Sequence, residues 1–285
     1  MTVSAASLVE LLDLERIDTT LFRGRQPDTD RQRVFGGQVA AQALVAGIRT
    51  VDPEFGVHSL HSYFLLPGDT AVPIVYDVEQ LRDGRSFATR RVVARQHGRP
   101  IYFQTASFHR AEDGLEHQDR MPEVPEPEQG IDMADMMRRS GNQESDALAK
   151  EWASLEARYV GYSRYNLLDD GDHPSRARMW IRVGDGLGDD PHIHLAAFTY
   201  ASDIGLLGAS LAAHDVTPMD VQMASLDHTL WFHRPFRADD WWLYDLQSPV
   251  AHGARGLAWA RVFTPDGRLV ASAAQEGLIR RLRDR

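Results

Sequence analysis

Three polar residues in the second half of the chain interrupt stretches that otherwise consist of apolar or small residues. Asp203 lies within residues 192–207, which predict a helix rich in small apolar side chains. Ser225 and Gln275 lie on two predicted strands of one antiparallel meander that packs on this helix. Burying a carboxylate costs several kcal/mol unless hydrogen bonds or a partner compensate. We therefore predict that this polar trio, Asp203, Ser225 and Gln275, converges on one water molecule.

Each residue of the polar trio also has a structural interpretation. Asp203 can cap a neighbouring turn or face the solvent, Ser225 can lie on the solvent side of its strand, and Gln275 can be an amide at a sheet edge. Ser225 can instead act as a covalent nucleophile, which usually requires a histidine as base. His228 is three residues further on, and in a strand it points to the opposite face. The sequence therefore favours water over Ser225 as the nucleophile.

The composition is typical of a globular chain and excludes several classes of protein. No stretch of the 285 residues approaches the ~18 consecutive apolar residues of a membrane span. The net charge of −10, with scattered arginines, gives no reason to expect nucleic acid or an anionic membrane as a partner. Cysteine is absent, which excludes disulfides, thiolate metal sites and a cysteine nucleophile. Together with an N-terminus that lacks a secretory signal pattern, this predicts a cytoplasmic protein.

The known short motifs for metals and cofactors are missing from the sequence. His192 and His194 alternate as metal ligands can, but no third ligand lies nearby. Neither a phosphate-binding P-loop nor an H-E-x-x-H zinc motif occurs, and residues 208–212 lack the second glycine of the G-x-S-x-G nucleophile motif. We therefore expect neither a metal nor a cofactor.

One order of elements, a helix followed by an antiparallel meander, occurs twice at an offset of about 170 residues. Small residues predict the first helix from residue 36 onward, and turn signals separate the strands that follow each helix. This pattern predicts an α+β double hotdog, in which each of two tandem units is a central helix wrapped by an antiparallel sheet. The predicted domains are an N-terminal unit over 1–110, a connecting segment with a polar surface helix (131–159) over 111–177, and a C-terminal unit over 178–285 that carries the polar trio.

Seven ordered motifs carry a family resemblance that covers nearly the whole chain. They are LFRG (21–24), VFGGQ (34–38), HSLHSYF (58–64), RDGRSF (82–87), YASD (200–203), LDH with WFHRPF (226–236) and QEG (275–277). On these motifs the chain resembles the acyl-CoA thioesterase II family of double-hotdog hydrolases. The family's catalytic residues are an aspartate, a serine or threonine, and a glutamine, and the resemblance maps them to Asp203, Ser225 and Gln275.

The resemblance implies hydrolysis of fatty acyl-CoA to free fatty acid and CoA by an activated water, without a metal or redox cofactor. It also implies a homo-oligomer, with a tetramer as the expected state. For the phosphates of the acyl-CoA substrate, four arginines of the first half are candidate ligands: Arg82, Arg85, Arg90 and Arg91. The alternative for these four is ordinary charge on the surface of strands.

Two other functions remain open at this stage. A hotdog enoyl-CoA hydratase or dehydratase would act on the acyl chain and leave the thioester intact. A non-catalytic acyl-CoA-binding module would bind the substrate without turnover, and its affinity would not depend on the polar trio.

Overall fold

The computed structural model describes residues 3–27, 29, 31–140, 143–162 and 175–282. Over these residues it contains five α-helices and fourteen β-strands, numbered in chain order. The helices are α1 (Ala6–Leu12), α2 (Gly36–Ile48), α3 (Met133–Ser140), α4 (Gln143–Glu151) and α5 (Pro191–Ser202). The strands are β1 (Glu15–Arg16), β2 (Leu21–Gly24), β3 (Phe55–Phe64), β4 (Ile74–Asp83), β5 (Phe87–Gln96), β6 (Arg99–Arg110), β7 (Ile131–Asp132), β8 (Leu155–Tyr162), β9 (Arg176–Val183), β10 (Val221–Ser225), β11 (Asp227–Phe232), β12 (Trp242–His252), β13 (Arg255–Phe263) and β14 (Leu269–Arg281).

The strands form one continuous antiparallel sheet. Its order is β1-β2-β4-β5-β6-β3-β11-β14-β13-β12-β9-β8-β7, and β10 pairs with the last part of β14. The first half of the chain supplies the strands from β1 to β6, and the halves meet where β3 pairs with β11. Hairpins and short loops join β4 to β5, β5 to β6, β12 to β13 and β13 to β14, whereas α2 lies between β2 and β3 and α5 between β9 and β10.

The two halves are related by an approximate two-fold axis at the junction of β3 and β11. Leu60 of β3 pairs with Leu230 of β11, so equivalent residues face each other across the axis at the predicted offset of about 170. Each half wraps its strands around one helix, α2 or α5, and the two helices pack on each other. The predicted α+β double hotdog is therefore confirmed.

Small residues allow α2 and α5 to approach closely. The buried face of α2 is made mostly of alanine and glycine, and α5 buries Ala196, Ala197 and Ala201. A Cβ atom on Gly37 would lie 2.2 Å from the backbone oxygen of Tyr200, so only glycine fits at this contact. The N-terminus of α2 consequently lies against the C-terminal end of α5, where the two halves meet.

The segment that joins the halves is more ordered than the sequence predicts. The predicted surface helix over 131–159 is not one helix: the chain there forms β7, the two short helices α3 and α4, and the start of β8. Strand β8 pairs with β9 and extends the sheet of the C-terminal half. The division at residues 110 and 177 stays a prediction, although strand pairing places β8 with the C-terminal unit. Buried residues recur along β8, but the chain before it is polar and helical, so the sequence did not predict this strand.

The helix predicted over 192–207 ends earlier than expected. Asp190 caps its N-terminus by accepting a hydrogen bond from the backbone N–H of His192, and Pro191 occupies the first helical position. At the other end Gly205 adopts φ +77°, a left-handed conformation that reverses the chain. Asp203 therefore lies just after the helix and not within it. Over the described residues, no helix is long and apolar enough to cross a membrane.

Candidate active site

The Asp203 carboxylate lies where the two central helices meet. Asp203 is the C-cap residue of α5, and its Oδ2 accepts a hydrogen bond of 3.0 Å from the backbone N–H of Gly37 in the first turn of α2. The partial positive charge of a helix N-terminus stabilises a carboxylate, whereas the C-terminal end of its own helix does the opposite. The fold thus holds this carboxylate by a contact between residues 166 positions apart.

Gln275 connects the other two members of the polar trio. Its side-chain Nε2 donates to Asp203 Oδ1 at 2.9 Å and to Ser225 Oγ at 2.5 Å. Gln275 lies on β14 and is fully buried, while Ser225 ends β10, whose last pair with β14 joins Ser225 to Gly277. The three side chains predicted to converge therefore do so, on one helix end and two strands. Both amide hydrogens of Gln275 are used in holding them together.

The environment of Asp203 favours a proton acceptor that works near neutral pH. Burial raises the pKa of Asp203 to about 6, while hydrogen bonds from Gln275, Gly37 and Ser225 and the positive charge of Arg31 partly oppose this. Asp203 and Ser225 are nevertheless only partly buried, so both residues keep some contact with solvent. A carboxylate of this kind is mostly ionised at pH 7 and is basic enough to take a proton from water.

The strand that carries Ser225 is interrupted, which overturns one expectation from the sequence. The residues predicted as one strand over 223–232 form two strands, β10 and β11, separated at Leu226. Ser225 pairs with Gly277 and Thr229 pairs with Ala274, so the register against β14 shifts by one residue between them. A shift of one residue reverses which side chains face inward. The prediction that His228 points away from Ser225 is therefore wrong, because both face the side on which Gln275 lies.

His228 is a neutral residue of the interior. It is fully buried, and its Nε2 lies 2.9 Å from Ser202 Oγ at the end of α5. Burial lowers the pKa of His228 to about 4, and the polar side chain of Gln275 partly opposes this shift. The atom next to His228 Nε2 is the hydroxyl of Ser202 and not that of Ser225. The geometry accordingly gives Ser225 no histidine base.

A buried ion pair near Asp203 was not found from the sequence. Arg31, which follows β2, pairs with Glu151 at the end of α4, and the Glu151 side chain is 4% exposed. Burial raises the pKa of Glu151, whereas its bond to Arg31 opposes the increase. The Tyr200 hydroxyl donates to the backbone oxygen of Glu151 at 3.3 Å. The joining segment thus places α4 beside the site, a contact that no local pattern around Arg31 or Glu151 indicates.

The four arginines predicted to bind the substrate have different environments. Arg90 is 2% exposed and donates to the backbone or side chains of Thr50, Arg82, Thr89 and Asp83. Its guanidinium is therefore committed to the protein at the C-terminal end of α2, roughly 20 Å along the helix from Gly37. The other three, Arg82, Arg85 and Arg91, are exposed, and Arg91 pairs with Glu79 at 3.7 Å. Arg85 lines a cleft of about 370 Å³ with Asp52 and Asp83.

His194, one of the two histidines considered as metal ligands, has a structural role. His194 Nε2 lies 3.0 Å from the backbone oxygen of Gly188, and its Nδ1 accepts a hydrogen bond from the backbone N–H of Ala238. The part of the chain that the structure describes contains no group of three or more histidine, aspartate or glutamate residues arranged to hold a metal ion.

The symmetry-related position in the first half lacks the polar trio. Phe55 pairs with Arg110 of β6 as Ser225 pairs with Gly277 of β14, so Phe55 is the counterpart of Ser225. Phe108, two residues before Arg110, is likewise the counterpart of Gln275. Both phenylalanines are buried in the apolar core. The duplicated fold therefore contains the polar trio in its C-terminal half only.

Comparison with known proteins identifies close relatives over the full length of the chain. Residues 25–109 match the acyl-CoA thioesterase N-terminal domain family, and residues 122–279 match the acyl-CoA thioesterase C-terminal domain family. The chain is 40% identical to human acyl-coenzyme A thioesterase 8 over 95% of this chain and 88% of that protein. It is 38% identical to acyl-CoA thioesterase 2 of Haemophilus influenzae, over 96% and 97% of the two chains.

A solved structure agrees with these matches. The crystal structure of an acyl-CoA thioesterase II from Mycobacterium marinum superposes with a TM-score of 0.83 at 42% sequence identity. The superposition covers 98% of both chains. The likeness extends through both halves and the segment between them.

Proposed function

This chain belongs to the acyl-CoA thioesterase family, and we propose on this basis that it hydrolyses fatty acyl-CoA to a free fatty acid and CoA, with Asp203 as the general base. The single observation that carries the assignment of the base is the junction of Asp203, Ser225 and Gln275 through the two N–H groups of one amide. A partly accessible carboxylate with a pKa of about 6 suits this role.

The proposed reaction needs one water molecule and no covalent intermediate. The water oxygen attacks the thioester carbonyl carbon while Asp203 takes one of its protons. Collapse of the tetrahedral intermediate breaks the carbon–sulfur bond, and the CoA thiolate leaves with the electron pair. The proton on Asp203 then passes to the thiolate or to solvent, which restores the carboxylate. Because Ser225 Oγ accepts from Gln275, its own O–H is directed to the Asp203 carboxylate or to a water beside it.

The negative charge that develops on the carbonyl oxygen needs hydrogen-bond donors. We propose that the first turn of α2 supplies them, since the first N–H groups of a helix have no acceptor within the helix. Gly36 and Gly37 begin this turn and lie beside Asp203 Oδ2. Because the Gly37 N–H already donates to this carboxylate, the other N–H groups of the turn are the candidate donors.

A hydratase, a dehydratase and a non-catalytic binding module are the competing functions. The relatives at 40% and 38% identity are named as thioesterases, which favours thioester cleavage over chemistry on the acyl chain. The test is the release of free thiol from palmitoyl-CoA, measured with a thiol reagent. The chain has no cysteine, so the enzyme itself adds no background. Hydration of an enoyl-CoA without thiol release, or tight binding without turnover, would overturn the proposal.

The choice between water and Ser225 as nucleophile is tested on the same substrate. For water attack we expect Ser225→Ala to keep a measurable fraction of the activity, and no acylated protein to be found by mass spectrometry after rapid quenching. Gln275→Ala serves as the matched variant, because it removes the shared donor but no nucleophile. An acyl group found on Ser225 would replace this mechanism with a covalent one.

We further propose that the protein is a homo-oligomer, with a tetramer as the expected state, and that it acts in the cytoplasm. Large aromatic side chains on the outer face of the central strands support association between copies, because exposed apolar patches commonly mark interfaces. These side chains are Tyr63, Trp231 and Trp259, which are 52%, 37% and 47% exposed. Light scattering coupled to size exclusion measures the assembly, and a monomer at micromolar concentration would contradict this expectation.

A further inference from the structure

The Gln275 amide has one polar atom that the polar trio does not use. Its Nε2 donates both hydrogens, to Asp203 and to Ser225, so its Oε1 must point elsewhere. Gln275 Oε1 is buried and has no hydrogen-bond partner among the described residues. A buried carbonyl oxygen without a donor costs free energy, and nothing else within the trio can donate to it. The orientation of this amide therefore requires a donor from outside the trio.

His228 carries the matching atom. His228 Nδ1 is buried and has no hydrogen-bond partner among the described residues, while its Nε2 faces Ser202 Oγ at 2.9 Å. Thr229 of β11 pairs with Ala274 of β14, and this register places His228 opposite Gln275 on the same face of the sheet. The register shift after β10 is what turns His228 toward Gln275.

We propose that His228 is a positioning residue: it is a neutral imidazole protonated on Nδ1, and it donates to Gln275 Oε1 so that the amide hydrogens point at Asp203 and Ser225. This inference rests on the proposed function, because it assigns a role at the same site. His228 touches neither the substrate nor the water and acts only through Gln275. The resulting chain runs from Ser202 to His228, then to Gln275, and ends on Asp203 and Ser225.

The hydroxyl of Ser202 allows two tautomers of His228, and the position of Gln275 decides between them. Ser202 Oγ is 2.9 Å both from Thr199 O and from His228 Nε2. If the hydroxyl hydrogen went to Thr199 O, His228 would carry its proton on Nε2, and its Nδ1 lone pair would face the Gln275 oxygen. Two acceptors would then oppose each other. With the hydrogen shared toward His228 Nε2, the Nδ1 proton meets that oxygen instead.

The orientation matters because the reversed amide is incompatible with an ionised Asp203. A rotation of the Gln275 amide by 180° would place its oxygen against the Asp203 carboxylate and the Ser225 lone pairs. The carboxylate would lose a donor, and Ser225 would have to use its own hydrogen on Gln275. The water would then be held less firmly, so the proposed loss falls on turnover and not on substrate binding.

Two substitutions separate this role from a merely structural one. In His228→Asn the side-chain N–H₂ occupies the place of Nδ1, and in His228→Gln it occupies the place of Nε2. We expect His228→Gln to lower kcat for palmitoyl-CoA by roughly tenfold to a hundredfold, with KM within about twofold of the parent, as for loss of one hydrogen bond. His228→Asn is expected to recover most of that loss. Equal kcat values for the two variants, or a fall that is entirely in KM, would overturn the proposal.

A measurement on the unaltered protein keeps the test valid even if a variant does not fold. Neutron diffraction from crystals of perdeuterated protein locates deuterium on His228 and on the Gln275 amide directly. We expect deuterium on Nδ1 and none on Nε2, with the Gln275 oxygen facing the ring. Deuterium on Nε2 would overturn the proposal while thioester hydrolysis stands, whereas absence of thiol release overturns the proposed function and leaves the tautomer measurable.

Discussion

The backbone N–H of Gly37 donates to Asp203 Oδ2 at 3.0 Å and thereby joins the start of one central helix to the end of the other. Gly37 belongs to the half without the polar trio, whereas Asp203 belongs to the half that carries it. The site therefore depends on both halves of the duplicated fold. The contact also partly offsets the unfavourable burial of the carboxylate, because a helix N-terminus stabilises negative charge.

Replacement of the proposed base by its amide is the most direct test of the site. Asp203→Asn keeps the shape of the side chain but cannot take a proton, so we expect kcat to fall by a hundredfold or more. The measurement is thiol release from palmitoyl-CoA. Asp266→Asn, in the turn before β14, is the control, because its side chain is exposed. Activity of Asp203→Asn within about tenfold of the parent would remove Asp203 as the base.

The pH dependence of turnover follows from the raised pKa of Asp203. Protonated Asp203 cannot accept a proton from water, and its pKa is about 6. We expect kcat to increase about tenfold per pH unit well below pH 6 and to level off above pH 7. The rate is measured on palmitoyl-CoA from pH 4.5 to 8. A flat profile over that range, or a rate that decreases between pH 5 and pH 7, is incompatible with a carboxylate base.

The raised pKa of Asp203 also predicts how the stability of the fold depends on pH. The fold raises the pKa of Asp203 from 3.8 to about 6 and so favours the protonated carboxyl group. The resulting stabilisation of the folded state is present below about pH 4 and is lost as pH rises through 6. Asp203→Asn does not titrate. The free energy of unfolding of this variant, relative to the parent, should therefore increase by about 1 kcal/mol between pH 5 and pH 7.5. Urea unfolding at both pH values checks this, and a constant difference contradicts it.

We expect a different outcome for each of the three glycines of α2 when it is changed to alanine. A Cβ on Gly37 would lie 2.2 Å from a backbone oxygen of α5, and one on Gly36 would lie 2.7 Å from Asp203 Oδ2. We expect Gly37→Ala to lower the free energy of unfolding by about 2 kcal/mol or more and Gly36→Ala to reduce mainly kcat. Gly47 is the control, since its nearest contact would be 3.6 Å and alanine favours helix. Thermal unfolding and thiol release distinguish the three.

Substitution of Arg90 and of Arg85 distinguishes a structural arginine from a candidate for substrate binding. The Arg90 guanidinium is buried and donates five hydrogen bonds, so Arg90→Ala should lower the free energy of unfolding by about 2–4 kcal/mol without changing KM. Arg85 is exposed beside a cleft, and Arg85→Ala should leave stability unchanged. If Arg85 binds the phosphates of CoA, as the sequence predicts, the KM of the Arg85→Ala variant for palmitoyl-CoA increases severalfold. An unchanged KM would leave Arg85 as surface charge.

Much of the fold is encoded in local patterns. Small residues from Gly36 onward and around Ala197 specify helices that can be enclosed, and turn signals such as Pro265–Asp266–Gly267 end the strands between them. The repetition of these patterns at one offset predicts two units, and Leu60 opposite Leu230 confirms that offset. The sequence also indicates the residues of the polar trio, because a carboxylate and an amide among apolar neighbours require a partner.

Patterns along the chain therefore establish the set of elements, their duplication and which polar residues need partners. How those residues meet depends on packing between elements that are distant in the chain. The contact of Gly37 with Asp203 and the ion pair of Arg31 with Glu151 join residues more than a hundred positions apart. The one-residue register shift between β10 and β11 depends on pairing with β14, and it turns His228 toward Gln275 against the alternation that the sequence predicts. Such relations arise from packing between elements, whereas periodicity within one element specifies only its own faces.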